Sequence, residues 1–314
     1  MSEASVPALR GPEELSPPFS PKDVSVIVIA QNEAQRIGRC LRSLSAMSPP
    51  PGEVVFVDNG SSDDTVRVIR AAAGTLAAPY AVVSEPVPGI PYARTAGVRY
   101  SHRSIVAFLD ADCAAPPNWI EQLLHGFNNT DASAIAGRYV LAGDSAQVVN
   151  FRERSWSAAF GWALSGPELM REPRGYVGMM VGGCAAFRRG ALEAVGLFDP
   201  AFPYCDDIAV SLKLYQRGHR VLRDPAFWVT HHIDTRARTV WKKDLRYCRD
   251  SVRITKQIMG KRVSVDVNSY RAIVRHVRSF VATGDRYYAV EACRRGLFKL
   301  ATTWFGIRSG CLFV

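Results

Sequence analysis

Asp110-Ala111-Asp112 places two carboxylates one residue apart, directly after the apolar run Ile105-Val106-Ala107-Phe108-Leu109. In extended backbone, residues i and i+2 project to the same side, so the pair can share one divalent cation with the oxygens of a diphosphate. Mg2+ and Mn2+ prefer oxygen ligands and often take one or two from protein and the rest from phosphate and water. The same spacing fits a solvated pair ahead of a helix starting near Pro116-Pro117, and it also begins phosphatases with an aspartyl nucleophile. Those enzymes place it after the first strand, whereas here it follows the fourth. Other polar clusters also end apolar runs: Gln31-Asn32-Glu33, Asp58-Asn59-Gly60 and Glu85.

The elements that would carry these clusters alternate. Val24–Ala30 is a continuous apolar run, as expected of a strand buried on both faces. A helix over Arg36–Leu44 follows, with Ile37, Cys40, Leu41 and Leu44 at helical spacing. Strand Val54–Val57, a helix from about Asp64 to Ala73, strand Tyr80–Val83, helix Tyr92–Tyr100 and strand Ile105–Leu109 complete a βαβαβαβ rhythm. That rhythm implies a doubly wound, mostly parallel mixed sheet, whose ligands bind at the carboxyl ends of the strands. The polar clusters lie at those ends. Beyond them the pattern predicts a helix over Ser155–Leu164, a loop then strand over Gly175–Phe187, a helix over Asp206–Arg217 stopped by Gly218, and a short strand Arg220–Leu222.

Composition bounds the rest. The 314 residues suit one large α/β domain with a helical appendage. Residues 1–21 hold five of the 19 prolines and read as a disordered lead-in, residues 22–235 as the catalytic domain, and residues 236–314 as a basic helical region. The seven cysteines show no C-x-x-C spacing, so neither a zinc cluster nor a disulfide framework is signalled and reduced, cytoplasmic thiols are expected. No apolar run reaches the roughly 18 residues that span a bilayer, and no signal-peptide layout opens the chain.

Charge is unevenly spread. Residues 1–234 carry 21 Lys+Arg against 24 Asp+Glu, and residues 235–314 carry 18 against 5, so the tail holds the excess behind the net +10. Val240–Lys261 and Arg286–Phe305 combine basic residues with Trp, Tyr, Leu and Phe, a pattern suited to peripheral contact with an anionic membrane through residues 240–305. The alternative is that these segments pack on the catalytic domain. No recognised nucleic-acid-binding module accompanies the charge.

Taken together, five blocks in order give the chain a resemblance to family 2 glycosyltransferases of the GT-A fold. They are Val24–Leu44, Val54–Thr65, Gly89–Gly97, Phe108–Asp112 and Gly182–Gly218, covering roughly residues 22–235. The resemblance implies a nucleotide diphosphate sugar as donor, a UDP- or GDP-sugar, together with Mg2+ or Mn2+. It implies a donor- and metal-binding set of Gln31, Asn32, Glu33, Asp58, Arg94, Asp110, Ala111 and Asp112, with Arg94 near the nucleotide. Asp206-Asp207 matches the family's Glu-Asp pair, whose second member is the base of inverting enzymes, so Asp207 is the expected base and Asp206 would orient the acceptor. In local terms both can equally be helix N-terminal carboxylates favoured by the dipole. Pro225–His232 resembles the family's return strand, and register favours His231 as a further metal ligand. Asp206 in place of Glu, Ala209 in place of a further Asp, and Thr95 in place of Asn depart from the family pattern. Trp156, Trp162 and Tyr176 fall between the two halves, where either an acceptor or a core could claim them.

The expected protein is therefore an inverting enzyme at the cytoplasmic membrane face, acting on a lipid-linked or polysaccharide acceptor. A sugar-phosphate nucleotidylyltransferase would carry a glycine-rich loop with Arg and Lys after the first strand, where this chain has Gln31-Asn32-Glu33-Ala34-Gln35-Arg36. A catalytically silent nucleotide-sugar-binding or scaffold protein of the same fold is the rival from another class.

Overall fold

The structure, a computed structural model, describes residues 18–236 apart from 163–165 and 175, residues 246–260 apart from 248 and 255, and scattered positions beyond. Strands β1 (Val24–Ala30), β2 (Glu53–Asp58), β3 (Tyr80–Ser84) and β4 (Ile105–Asp110) form a parallel half-sheet in the order β3-β2-β1-β4. Helices α1 (Gly38–Ser45), α2 (Thr65–Ala73) and α3 (Ile90–Tyr100) supply the crossovers. Past β4 the sheet changes character. The two-residue β5 (Cys113–Ala114) leads to α4 (Trp119–Asn128), β6 (Ala134–Ala142), α5 (Ala146–Phe160), β7 (Glu168–Met170), β8 (Ala185–Arg188), α6 (Arg189–Ala194), α7 (Asp206–Gln216) and β9 (Val221–His232). β8 runs antiparallel between β4 and β6, β6 pairs parallel with β9, and β5 and β7 both pair antiparallel with β9. The outcome is the mixed GT-A type sheet.

Strand alternation separates the two faces. Val24, Val26 and Val28 pack with α1, α2 and α4, whereas Ile27, Val55, Val57, Val106 and Phe108 pack with α3, α6 and α7. Each large apolar side chain buried this way contributes about 1.5–3 kcal/mol, and both faces are filled. The polar turns at the strands' carboxyl ends stay uncovered.

Three expectations change. The helix expected over Ser155–Leu164 runs from Ala146 to Phe160, because the Ser145 hydroxyl accepts the Val148 N–H and Gly161 takes the left-handed conformation (φ 70°) that ends it. Strand β6 was not anticipated, since its alanines and glycine have weak strand preference. The separate strands expected around Arg220–Leu222 and Pro225–Thr230 form one strand, β9. Pro225 is tolerated because the β6–β9 register shifts between Ala136 and Arg138, and Arg138 Nε donates to the Pro225 carbonyl at 3.0 Å.

The basic segments 240–261 and 286–305 lie largely outside the described residues. Where described, residues 246–257 are helical. Ile254 packs with Met179, Phe202, Cys205, Ala209 and Leu212, so this part docks on the catalytic domain. Ala209, where the family pattern carries an acid, is an apolar contact in that cluster. Among the described residues, no helix is long and apolar enough to cross a membrane.

Candidate active site

A cavity of about 1210 Å³ opens at the carboxyl ends of β1, β2 and β4 and extends to α5, α7 and the 246–251 helical turn. Gln31, Glu33, Arg94, Asp110, Ala111, Asp112, Asp206, Asp207 and His231 all line it. Residues from five separate stretches of sequence therefore converge. Asn32 and Asp58 are not among the lining residues. Asn32, at φ 56°, accepts the Ser62 N–H on Oδ1 at 2.8 Å, and Asp58 Oδ1 accepts the Ser61 N–H at 3.3 Å. Both side chains bind the turn that follows β2. Asn59, the next residue of that polar cluster, holds a loop. Its Nδ2 donates to the Glu85 and Val87 carbonyls and its Oδ1 accepts the Gly89 N–H, fixing the 85–89 loop, whose Gly89 lines the cavity.

The two aspartates after β4 divide their work. Asp112 Oδ2 lies 3.4 Å from His231 Nε2, across the β5–β9 pairing that sets Cys113 opposite His231. Ligand atoms of Asp112, Cys113 and His231 all fall within 4.8 Å of one another. An oxygen and an imidazole nitrogen at this spacing suit a divalent ion of the Mn2+ type. The His231 ring packs on Tyr139 (centroids 4.5 Å) and Trp156 (6.2 Å), which fixes its plane, and its Nδ1 is buried without a hydrogen-bond partner. Asp110 turns the other way, to 3.6 Å from Arg94 Nη2. Of the expected ligands, Asp112 and His231 thus lie side by side, and Asp110 lies beside a guanidinium.

Arg94 is the electrostatic centre. It is 4% exposed, and its Nη1 donates to both oxygens of Asp206 at 2.8 Å. Burial alone would push the guanidinium pKa down, but the charges of Asp206, Asp110 and Asp207 outweigh it and the pKa is raised. Arg94 was expected beside the nucleotide and Asp206 beside the acceptor. In the structure they pair with one another where both line the cavity, as a buried charge requires. Asp207, the next residue of α7, is less buried. Its Oδ2 accepts the Gly182 N–H and its Oδ1 the Ile208 N–H, each at 2.8 Å. Burial first, and then the adjacent Asp206 charge, push its pKa up to about 7, against Arg94 and the two amides. That value suits a carboxylate that accepts a proton near neutrality.

Gly182 and Gly183 make the close approach possible. A Cβ on Gly182 would lie 1.8 Å from Arg94 Nη2, and one on Gly183 would lie 2.5 Å from Asp110 Oδ2. The Gly183 N–H donates to the Tyr139 hydroxyl at 2.7 Å, so Tyr139 links the glycine turn to His231. Sequence reasoning missed Tyr139, because it lies on the unrecognised β6. Trp156 and Tyr176 line the cavity, whereas Trp162 is core, 5% exposed. Thr95, in place of the family's Asn, has its hydroxyl 3.5 Å from the Phe198 carbonyl.

The profile of glycosyl transferase family 2 matches residues 25–196. The glycosyltransferase AglE of Haloferax volcanii is 32% identical over 116 residues, which is 36% of this chain and only 38% of that protein. A glucosyl-dolichyl phosphate glucuronosyltransferase of the same organism is 26% identical over 226 residues, 67% of this chain and 69% of that one. Among solved structures, a mannosyltransferase of Pyrobaculum calidifontis in complex with GDP-Man and Mn2+ superposes with a TM-score of 0.66 at 18% identity, covering 91% of this chain and 87% of that chain. The chain belongs to glycosyl transferase family 2.

Proposed function

We propose that this protein is an inverting glycosyltransferase, dependent on Mg2+ or Mn2+, that moves a sugar from a UDP- or GDP-sugar to a lipid-linked or polysaccharide acceptor. The observation that carries this reading is the convergence of the Asp112–His231 pair and Asp207 on one cavity large enough for a nucleotide sugar. In this reading Gln31 and Glu33 face the nucleoside, and Asp112 and His231 hold the cation. When bound, the cation supplies positive charge against the leaving diphosphate. Asp207 accepts the proton of the acceptor hydroxyl as its oxygen bonds to the anomeric carbon and the bond from that carbon to the diphosphate breaks. A single displacement of this kind inverts the anomeric centre. Arg94 keeps Asp206 neutralised, so that the proton goes to Asp207.

Support for a nucleotide donor and a metal comes from the GDP-Man and Mn2+ bound in the Pyrobaculum structure, and support for a lipid-linked acceptor from the dolichyl phosphate substrate named for the Haloferax relative. The charge of the region after residue 235 supports peripheral contact with an anionic cytoplasmic membrane face. The test is a screen of nucleotide sugars for metal-dependent thermal stabilisation, followed by transfer of labelled sugar to a lipid extract. A protein that no nucleotide sugar stabilises with either metal, yet that binds a partner through its basic region, is the silent scaffold instead.

A further inference from the structure

Helix α7 begins at the site's two acidic residues. Its N-cap is Cys205, whose side chain takes no N–H of the first turn, and within that turn Asp207 Oδ1 accepts the Ile208 N–H. The chain entering α7 is held from a distant stretch instead. Asp250, in the helical residues 246–257, is fully buried (0% exposed). Its Oδ2 accepts the backbone N–H of Tyr204 at 2.8 Å, and its Oδ1 accepts Arg249 Nε at 3.2 Å. Tyr204 lies two residues before Asp206 and three before Asp207.

Other contacts fasten the same joint. Arg253 Nη1 donates to the Ala201 carbonyl at 3.3 Å, Gln216 Nε2 donates to the Ile258 carbonyl at 2.7 Å, and the Arg246 guanidinium lies 4.9 Å from the Tyr204 ring centroid. Tyr204, Arg246, Tyr247 and Ser251 also line the cavity. The helical turn is therefore both a wall of the cavity and the anchor of the loop that aims α7 into it. A carboxylate is costly to bury, and this one spends its hydrogen bonds on the backbone leading to the site and on a neighbouring arginine.

We propose that Asp250 is a positioning residue for the base. By holding the Tyr204 N–H it sets where the first turn of α7 projects Asp207, so the helical residues around Asp250 complete the acceptor side of the site. The proposal rests on the reading of Asp207 as proton acceptor. Arg94 fixes Asp206 from within the domain, whereas Asp207, whose carboxylate meets the Gly182 N–H, is carried by the backbone entering the helix. A shift of about 1 Å in a reacting group can cost about a hundredfold in rate.

The test is metal-supported hydrolysis of UDP-glucose or GDP-mannose, whichever raises the melting temperature, with water standing in for the acceptor. In Asp250→Ala, kcat falls at least tenfold while KM for the donor stays within twofold, because Gln31, Glu33, Asp112 and His231 are on other elements. Asp250→Asn, whose amide oxygen still accepts the Tyr204 N–H, stays within threefold of the unmodified protein. An Asp250→Ala protein that binds nucleotide normally and keeps kcat within twofold overturns the proposal. So does an Asp250→Asn protein that binds nucleotide normally but loses tenfold or more, and that arm decides the matter if the alanine variant does not fold. The underlying reading fails separately, when Asp207→Asn hydrolyses donor as fast as the unmodified protein.

Discussion

Replacing Arg94 with Met isolates the electrostatics of the site. The guanidinium is 4% exposed and its partner Asp206 is 2% exposed. The substitution keeps roughly the same volume and strands a carboxylate next to Asp207 and near Asp110. Breaking a buried ion pair from one side costs about 3–5 kcal/mol. At about 1–3 kcal/mol per molar urea, the unfolding midpoint should fall by roughly 1–5 M, read from tryptophan fluorescence. The loss should depend on pH. Arg94 lowers the pKa of both Asp206 and Asp207, so its removal raises both further above their ordinary 3.8. A carboxylate whose folded pKa is raised contributes stability that is fully present below the unfolded value and is lost as pH rises through the folded value. Because the unfolded value is the same for both proteins, the deficit of the variant opens as pH rises through the folded values of the unmodified protein, about 7 for Asp207, and is largest above the variant's still higher ones. Replacing both partners, Arg94→Met with Asp206→Leu, should recover most of the loss, since neither charge is then left alone. A single variant within about 1 kcal/mol of the unmodified protein, an equal deficit at acid and alkaline pH, or a double variant no better than the single would each refute this account.

Gly182→Ala would place its Cβ 1.8 Å from Arg94 Nη2, and should lower activity and the melting temperature together. Gly74→Ala, with φ −62° and open space around it, should instead stabilise by about 0.4–1 kcal/mol in thermal denaturation. Asp207→Asn should cut transfer by about 10²–10⁴-fold and leave metal-dependent stabilisation by nucleotide in place; equal loss of nucleotide binding would count against a base role. In the unmodified protein, kcat/KM should rise with pH through about 7, the range to which burial and Asp206 push Asp207. His231→Ala and Asp112→Asn should each weaken Mn2+ binding in isothermal titration, and Asn59→Ala, which frees the 85–89 loop, should raise donor KM more than it lowers kcat.

The family and the donor half of the fold were legible in the residues themselves. Continuous apolar runs such as Val24–Ala30 can only be buried on both faces, and polar clusters at their ends mark where ligands go. The part past β4 was less legible, because the three alanines and the glycine of β6 weaken its strand preference and β9, interrupted at Pro225, reads as two separate strands.

Residue types and spacing marked Asp110 and Asp112 as able to do chemistry, and the family resemblance added Asp207 and His231. Only tertiary structure decided their partners. Arg94 and Asp206 are 112 residues apart in the chain, yet they form the buried pair. Asp112 turned to His231 and not to Asp110, because β5 pairs with β9. The basic region shows the same division. Its pattern announced an apolar face but not what would cover it, and around Ile254 the cover is the catalytic domain. Local sequence fixes backbone preference and side-chain chemistry, whereas a contact between distant residues depends on how whole elements pack.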